Sequence, residues 1–285
     1  MILRLMGRRK TAGATAMSFT DHLEDLRGHL FRSAIAVVLG CIILGIYNNF
    51  FIKHVLLGPT QTDFPTYKIL CYIGKLLHIE ALCLGPAGVN LQSIGVSAQF
   101  SVFFSVILIG GFILAFPYIF YQIWNFIKPA LTPKELKNSG RMIFWVSLLF
   151  FLGVGFGYFV IAPYTINFFS NFQLDPAIEN RWTISSYLDL LAPLILGTGL
   201  AFQLPLAMLF LAKTGIIGSK FLKARRKHAI VIMIIVAGVI TPPDVLSQMI
   251  VTMPLILLYE ISIKLVKKTE AKEALESAKN LHIDP

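Results

Sequence analysis

The chain has 285 residues, 56% of them hydrophobic and only 14% charged, with a formal net charge of +10. A soluble domain carries about a quarter charged residues, so this composition excludes an ordinary water-soluble enzyme. Nor does the positive charge point to nucleic acid: it is sorted between apolar stretches, where basic loops against anionic inner-leaflet lipid account for it.

Residues 1–17 form a basic, polar extension, with Met17 as an alternative start. Six apolar spans follow, at Gly28–Phe51, Phe100–Gln122, Met142–Phe169, Tyr187–Ala212, His228–Ile240 and Val245–Ile263. They predict one all-α membrane domain over 18–268, followed by a cytoplasmic tail at 269–285. Of the 25 Lys and Arg, all but Lys53, Lys68, Lys75 and Arg181 lie in alternate connections, the terminal segments and the start of span one. Cationic loops are retained in the cytoplasm, so both termini are expected there and the connection 52–94 outside.

That outer connection carries Pro59, Pro65 and Pro86, with helical spacing over Thr66–Leu84, and predicts a cap with short interfacial helices. It holds Cys71 and Cys83 on the oxidising side; two reduced, buried thiols are the alternative, and a bridge is favoured. Cys41, inside span one, reads as a packed apolar residue. Span three runs 28 residues from Met142 to Phe169 and must tilt or break near Pro163. Gly153, Gly155 and Gly157 offer close approach on it, with Gly110-Gly111 and Gly197/Gly199 doing so more loosely. Span five has only 13 residues before Thr241-Pro242-Pro243-Asp244, so spans five and six form a short helical hairpin.

Motifs for chemistry are lacking. No paired-histidine helix, nucleophile elbow or phosphate loop occurs, and the six His show no metal-ligand spacing, so neither enzymatic activity nor a cofactor is expected. Within the spans the carboxylates are Asp189 and Glu260, the latter with Lys264 one turn later as a structural ion pair. What remains is binding or assembly on the inner edge. There Glu24 and Asp25 sit on an amphipathic helix with Thr20 as its N-cap. Glu135 lies in the next inner connection, Trp124 to Glu135. Carboxylates so placed can hold guanidinium groups bidentately; a merely solvated face is the bland alternative.

Five segments then make a pattern. They are His22-Leu23-x-x-Leu26-Arg27, Tyr121-Gln122-x-Trp124-x-Phe126-x-x-Pro129-Ala130-Leu131, Tyr158-Phe159-x-x-x-Pro163, Ser186-Tyr187-Leu188 and Thr241-Pro242-Pro243-Asp244-x-x-Ser247-Gln248. In this order, over about Ser18 to Lys268, they resemble the TatC family, the multispanning subunit of the twin-arginine protein translocase. The resemblance implies a concave, glove-like arrangement of six helices in the bacterial cytoplasmic membrane. It also implies a receptor for signal peptides with consecutive arginines on folded cargo, driven by the proton gradient. Its partners would be the single-span proteins TatA and, where present, TatB, in a complex that contains more than one copy of the chain.

Carried onto this sequence, the peptide site would use Asp25 and Glu135, with Glu24 as a substitute for Asp25. Phe126 and Pro129 would shape the contact surface, and His22 and Arg27 would support the N-terminal helix. Gln203, Thr241, Asp244, Ser247 and Gln248 would be the polar groups inside the membrane and at the partner helix. Two departures stand out: the family commonly has Glu where Asp25 stands, and many members have a Glu where Gln203 stands. A channel or solute carrier, and an assembly scaffold without peptide recognition, are the competing readings.

Overall fold

Long stretches of Leu, Ile, Val and Phe with few charges give long helices, which carry Pro117, Pro193 and Pro254 inside them; breaks fall near other prolines and also at Tyr47 and Arg225. The computed structural model describes residues 19–79, 83, 85, 89–127, 139–178, 180–213, 217–242 and 244–281. Helix α1 (Phe19–Ile46) leads through Asn48–Phe50 and a π-helical stretch, Phe51–Leu56, into a 3-10 turn at Gly58–Thr60. Next come α2 (Pro65–Leu77), strand β1 (Leu91–Gln92) and α3 (Ala98–Ile127). Helix α4 (Ser139–Phe156), a π-helical turn at Gly157–Ile161 and α5 (Ala162–Asn171) form one long crossing. Strand β2 (Trp182–Thr183) precedes α6 (Ile184–Ala201) and α7 (Leu204–Lys213). The chain continues as α8 (Ser219–Ala224), α9 (Arg226–Ile240) and α10 (Val245–Leu281).

The fold is all-α apart from one two-residue parallel pairing, Leu91 with Trp182 and Gln92 with Thr183. Five segments among the described residues are long and apolar enough to cross a membrane: Leu23–Ile46, Ala98–Ile127, Met142–Asn171, Ile184–Ala212 and Val245–Lys272. The sixth expected span is α9, whose 15 residues reach only about 22 Å at 1.5 Å per residue. Helix α10 does not stop at Ile263; it runs on to Leu281 through the segment read as tail.

Where Pro163 enters the third crossing, it has no N–H to give to the carbonyl of Phe159, and the helix widens into the π-helical turn just before it. The Phe159 carbonyl instead accepts a hydrogen bond from Thr66 Oγ1 at 2.6 Å. Tyrosines do the same for neighbouring carbonyls. Tyr158 donates to Val55 O at 2.7 Å, and Tyr187, fully buried, to Leu56 O at 2.6 Å. Tyr67 donates to both Pro59 O and Pro163 O, at 2.9 and 3.2 Å. Burial pushes the Tyr67 hydroxyl well above its ordinary pKa, so it stays a donor. These bonds and the β1–β2 pair gather the first long connection and the ends of the third and fourth crossings into a cap at one end of the bundle.

The main core lies among the third to sixth crossings, around Ile161, Ile166, Tyr187, Leu194, Ala237 and Leu255. A smaller cluster joins α3 and α4 through Phe116 and Phe150, whose rings stack with centroids 3.5 Å apart. Around both runs a belt of exposed apolar side chains, among them Phe31, Val38, Leu108, Leu152 and Ile235. A belt of this extent is unfavourable in water and fits lipid.

The glycines sort differently from their spacing. A Cβ at Gly153 would lie 2.6 Å from Thr198 O, and one at Gly157 2.7 Å from Leu194 O, so both seat α4 and its continuation on α6. Gly155 meets nothing within 4 Å; it lines an apolar cavity of about 260 Å³ beside Phe51, Phe151 and Ile195. The pair Gly110-Gly111 is no looser than Gly153: a Cβ on Gly111 would stand 2.6 Å from Cys41 Sγ and 2.8 Å from Cys41 N. Gly40 answers it from α1, 2.7 Å from Gly111 O by the same construction. Cys41 is thus a packing residue at the α1–α3 crossing, its Sγ 3.5 Å from Ile107 O.

Candidate functional site

At the end opposite the cap, α1 and α3 meet through a polar contact in an apolar setting. His29 Nδ1 and Gln122 Oε1 are hydrogen-bonded at 2.7 Å, and the His29 ring stands edge-on to Phe126 with centroids 6.3 Å apart. Asp25 lies one turn before His29, rotated only about 40° around the helix at roughly 100° per residue. Its carboxylate therefore shares the face that meets Gln122 and Phe126, and it is exposed. Glu24 is about 100° away from Asp25 around α1, and Arg27 about 160°; both are exposed, away from that contact. The side chain of His22, and Pro129 and Glu135 altogether, lie outside the described residues.

His29 was not singled out from sequence, though its spacing of four from Asp25 was a usable signal. Its position inside an apolar run hid it.

Trp124 and Gln203 occupy the same end. They line one apolar cavity of about 170 Å³ with Phe120, Met142, Val146 and Phe210. Gln203 sits at the break between α6 and α7 and donates through Nε2 to Val146 O at 3.2 Å. Its Oε1 and the Trp124 Nε1 are buried polar atoms without a hydrogen-bond partner. Glu260 does not pair with Lys264: it meets Arg226 Nη2 at 2.8 Å, drawn across the hairpin because α9 begins beside it.

The cap end of the hairpin is bonded within the chain except for Asp244 Oδ1, a buried oxygen without a hydrogen-bond partner. Asp244 Oδ2 accepts from the N–H of Ser247 at 2.6 Å, the geometry of an N-cap reaching the third helical residue of α10. Thr241 Oγ1 donates back to Ala237 O at 2.9 Å, and the Ser247 and Thr165 hydroxyls are 3.0 Å apart. Thr241, Asp244 and Ser247 are buried, so they serve the chain's own packing rather than facing a partner helix. Gln248 is half-buried, and its Nε2 donates to Ile234 O at 3.0 Å, tying α10 to α9. Replacing Asp244 with Ala is expected to cost about 0.5–2 kcal/mol through loss of the cap. A thermal aggregation curve in detergent reads this, with Asp244→Asn close to the parent because Asn caps equally well.

Cys71 and Cys83 are joined by a disulfide, at the end of the bundle that holds the cap. Mass spectrometry of protein isolated without reductant is expected to find the two cysteines linked and Cys41 free, and a finding of three free thiols would refute the pairing.

No group of three His, Cys, Asp or Glu among the described residues could hold a metal ion. Comparison with known proteins gives the family. Residues 21–254 match the family model for Sec-independent protein translocase protein (TatC). A Sec-independent protein translocase protein TatC of Blattabacterium sp. subsp. Periplaneta americana is 40% identical over 249 residues, covering 87% of this chain and 94% of that protein. One from Desulforapulum autotrophicum is 34% identical over 265 residues, covering 92% of this chain and 90% of that protein. A crystal structure described as the twin arginine translocase receptor TatC in DDM superposes with a TM-score of 0.68 at 30% identity. It covers 86% of this chain and 99% of that one. Sequence, span pattern and fold coincide over nearly the whole length, and the chain belongs to the TatC family, as a subunit of the twin-arginine protein translocase in the cytoplasmic membrane.

Proposed function

We propose that this chain is the receptor subunit of its translocase and that it binds the consecutive arginines of signal peptides on folded cargo. The observation that supports this most is the contact of His29 with Gln122 and Phe126 where α1 meets the end of α3, one turn after Asp25 on a shared helix face. A guanidinium can bind the exposed Asp25 carboxylate while the peptide backbone rests on the aromatic edge of Phe126. Glu135 supplies the second carboxylate and Pro129 helps Phe126 to shape the contact surface; Arg27 and His22 support the helix, and Glu24 is the substitute for Asp25. The solved relative is itself described as a receptor, which agrees with this reading.

In this proposal both termini face the cytoplasm, the proton gradient drives transport, and the partners are TatA and, where present, TatB, with more than one copy of the chain in the complex. Gln248 is the residue of the hairpin placed to reach a partner helix, since it is only half-buried. The deciding experiment is photocrosslinking of a twin-arginine peptide to the protein in membranes. Crosslinks near Asp25 and Phe126 that vanish with a lysine-pair peptide support it. Equal crosslinking by both peptides would sink it.

A further inference from the structure

Helix α2 divides into three sectors. Phe64, Tyr67 and Gly74 are buried against the cap. Lys68 and Lys75 lie next to that face, about 80–100° round from Tyr67. The rest is bare and apolar: Ile69, Tyr72, Leu76 and Leu77 are 59%, 71%, 71% and 57% exposed, and Ile73 shares their arc.

Its depth can be read from the third crossing. About 20 residues span a 30 Å hydrocarbon core, so a core that begins at Met142 ends near Ile161. Thr66 bonds to Phe159 O and Tyr67 to Pro163 O, which puts the start of α2 at that boundary. Phe159 and Val160, on the same level, are exposed members of the apolar belt. The bare arc thus continues a surface already read as lipid-facing.

The chain after α2 leads away from that arc. Cys71, half-buried on the protein side, holds Cys83, and Gly85 N–H then donates to Asn167 Oδ1 on α5. The disulfide holds Cys83 on the side away from the arc, which stays exposed among the described residues.

We infer that α2 is seated in the cap-side lipid leaflet, with Ile69, Ile73, Leu76 and Leu77 among the acyl chains and Lys75 at the lipid phosphates. An apolar arc flanked by lysines at the hydrocarbon boundary has the form of an interfacial helix, and phosphate complements the lysine charge. Lipid then anchors the cap directly, independently of any peptide or partner.

The test uses the full chain with Cys41→Ala, the Cys71–Cys83 bridge intact, in vesicles of phosphatidylethanolamine and phosphatidylglycerol. A nitroxide is attached at Ile69→Cys, Leu76→Cys, Lys75→Cys or, as a hydrocarbon reference, Ile235→Cys. Collision with dissolved oxygen against a water-soluble nickel chelate is read by power saturation. Positions 69 and 76 are expected to favour oxygen, like 235, severalfold more than position 75 does. Equal nickel access at 75 and 76 overturns the inference, since the arc would then face water. Low access to both reagents at 69 and 76 overturns it too, because protein rather than lipid would cover the face.

Discussion

Gly111→Leu is expected to remove most folded protein from the membrane. The substituted residue would drive its Cβ to within 2.6 Å of Cys41 Sγ and 2.8 Å of the Cys41 backbone nitrogen, and the backbone cannot turn aside. Helix α1 makes its principal packing contact with α3, so no other surface compensates when the two are prised apart. Overpacking a core usually costs about 1–3 kcal/mol, and contact with backbone puts this site at or above the upper end. Total stabilities of about 5–15 kcal/mol leave little reserve for that. Gly155→Ala is the matched control, because a Cβ there meets nothing within 4 Å. Monodisperse yield on gel filtration in detergent should collapse for the first variant and hold for the second. Equal yields would mean that the close crossing does not carry the fold.

Asp25→Asn is expected to weaken binding of a twin-arginine peptide by about tenfold or more, since a hydrogen bond to a charged group contributes about 1.5–3 kcal/mol. Glu24→Gln should change binding by much less. The two residues are adjacent and carry the same charge, so a general loss of negative potential would affect both alike. Only the helix face distinguishes them, with Asp25 on the side of His29 and Phe126. Peptide titration against purified protein reads both variants, and a tenfold loss with Glu24→Gln would move the recognition site round the helix.

Much of the architecture was legible because it rests on patterns spread over many residues. Spans of apolar sequence, lysines and arginines sorted to alternate connections, and a proline in a 28-residue run all survive local errors of reading. What escaped depends on which residue stands opposite which. Glu260 had a lysine at helical spacing, yet α9 brings Arg226 to it. The three glycines of span three look equivalent at spacings of two, but helical rotation turns Gly155 toward a cavity while Gly153 and Gly157 meet α6. Likewise the bond that Gln248 gives to Ile234 O becomes visible only once the hairpin closes. Asp25 could be named as a candidate from its neighbours in sequence; that its helix face is the one on which His29 bonds Gln122 could not be read there.

The tyrosine bonds of the cap carry a mechanical consequence. They join the first long connection to the third and fourth crossings, through Tyr67, Tyr158 and Tyr187. At the other end, His29–Gln122 ties α1 to α3, while Arg226–Glu260 and Tyr259 to Leu222 O tie α9 and α8 to α10. Among the described residues, the bonds named at the cap end run from one connection to two crossings, while those at the other end join neighbours, Gln203 to Val146 O included, like the ribs of a fan. Spreading the free ribs breaks none of these hydrogen bonds, and hinge motions of that kind run on microseconds to milliseconds. Opening of the fan is expected to start at the end where α1 begins and α10 finishes, with the cap as its pivot.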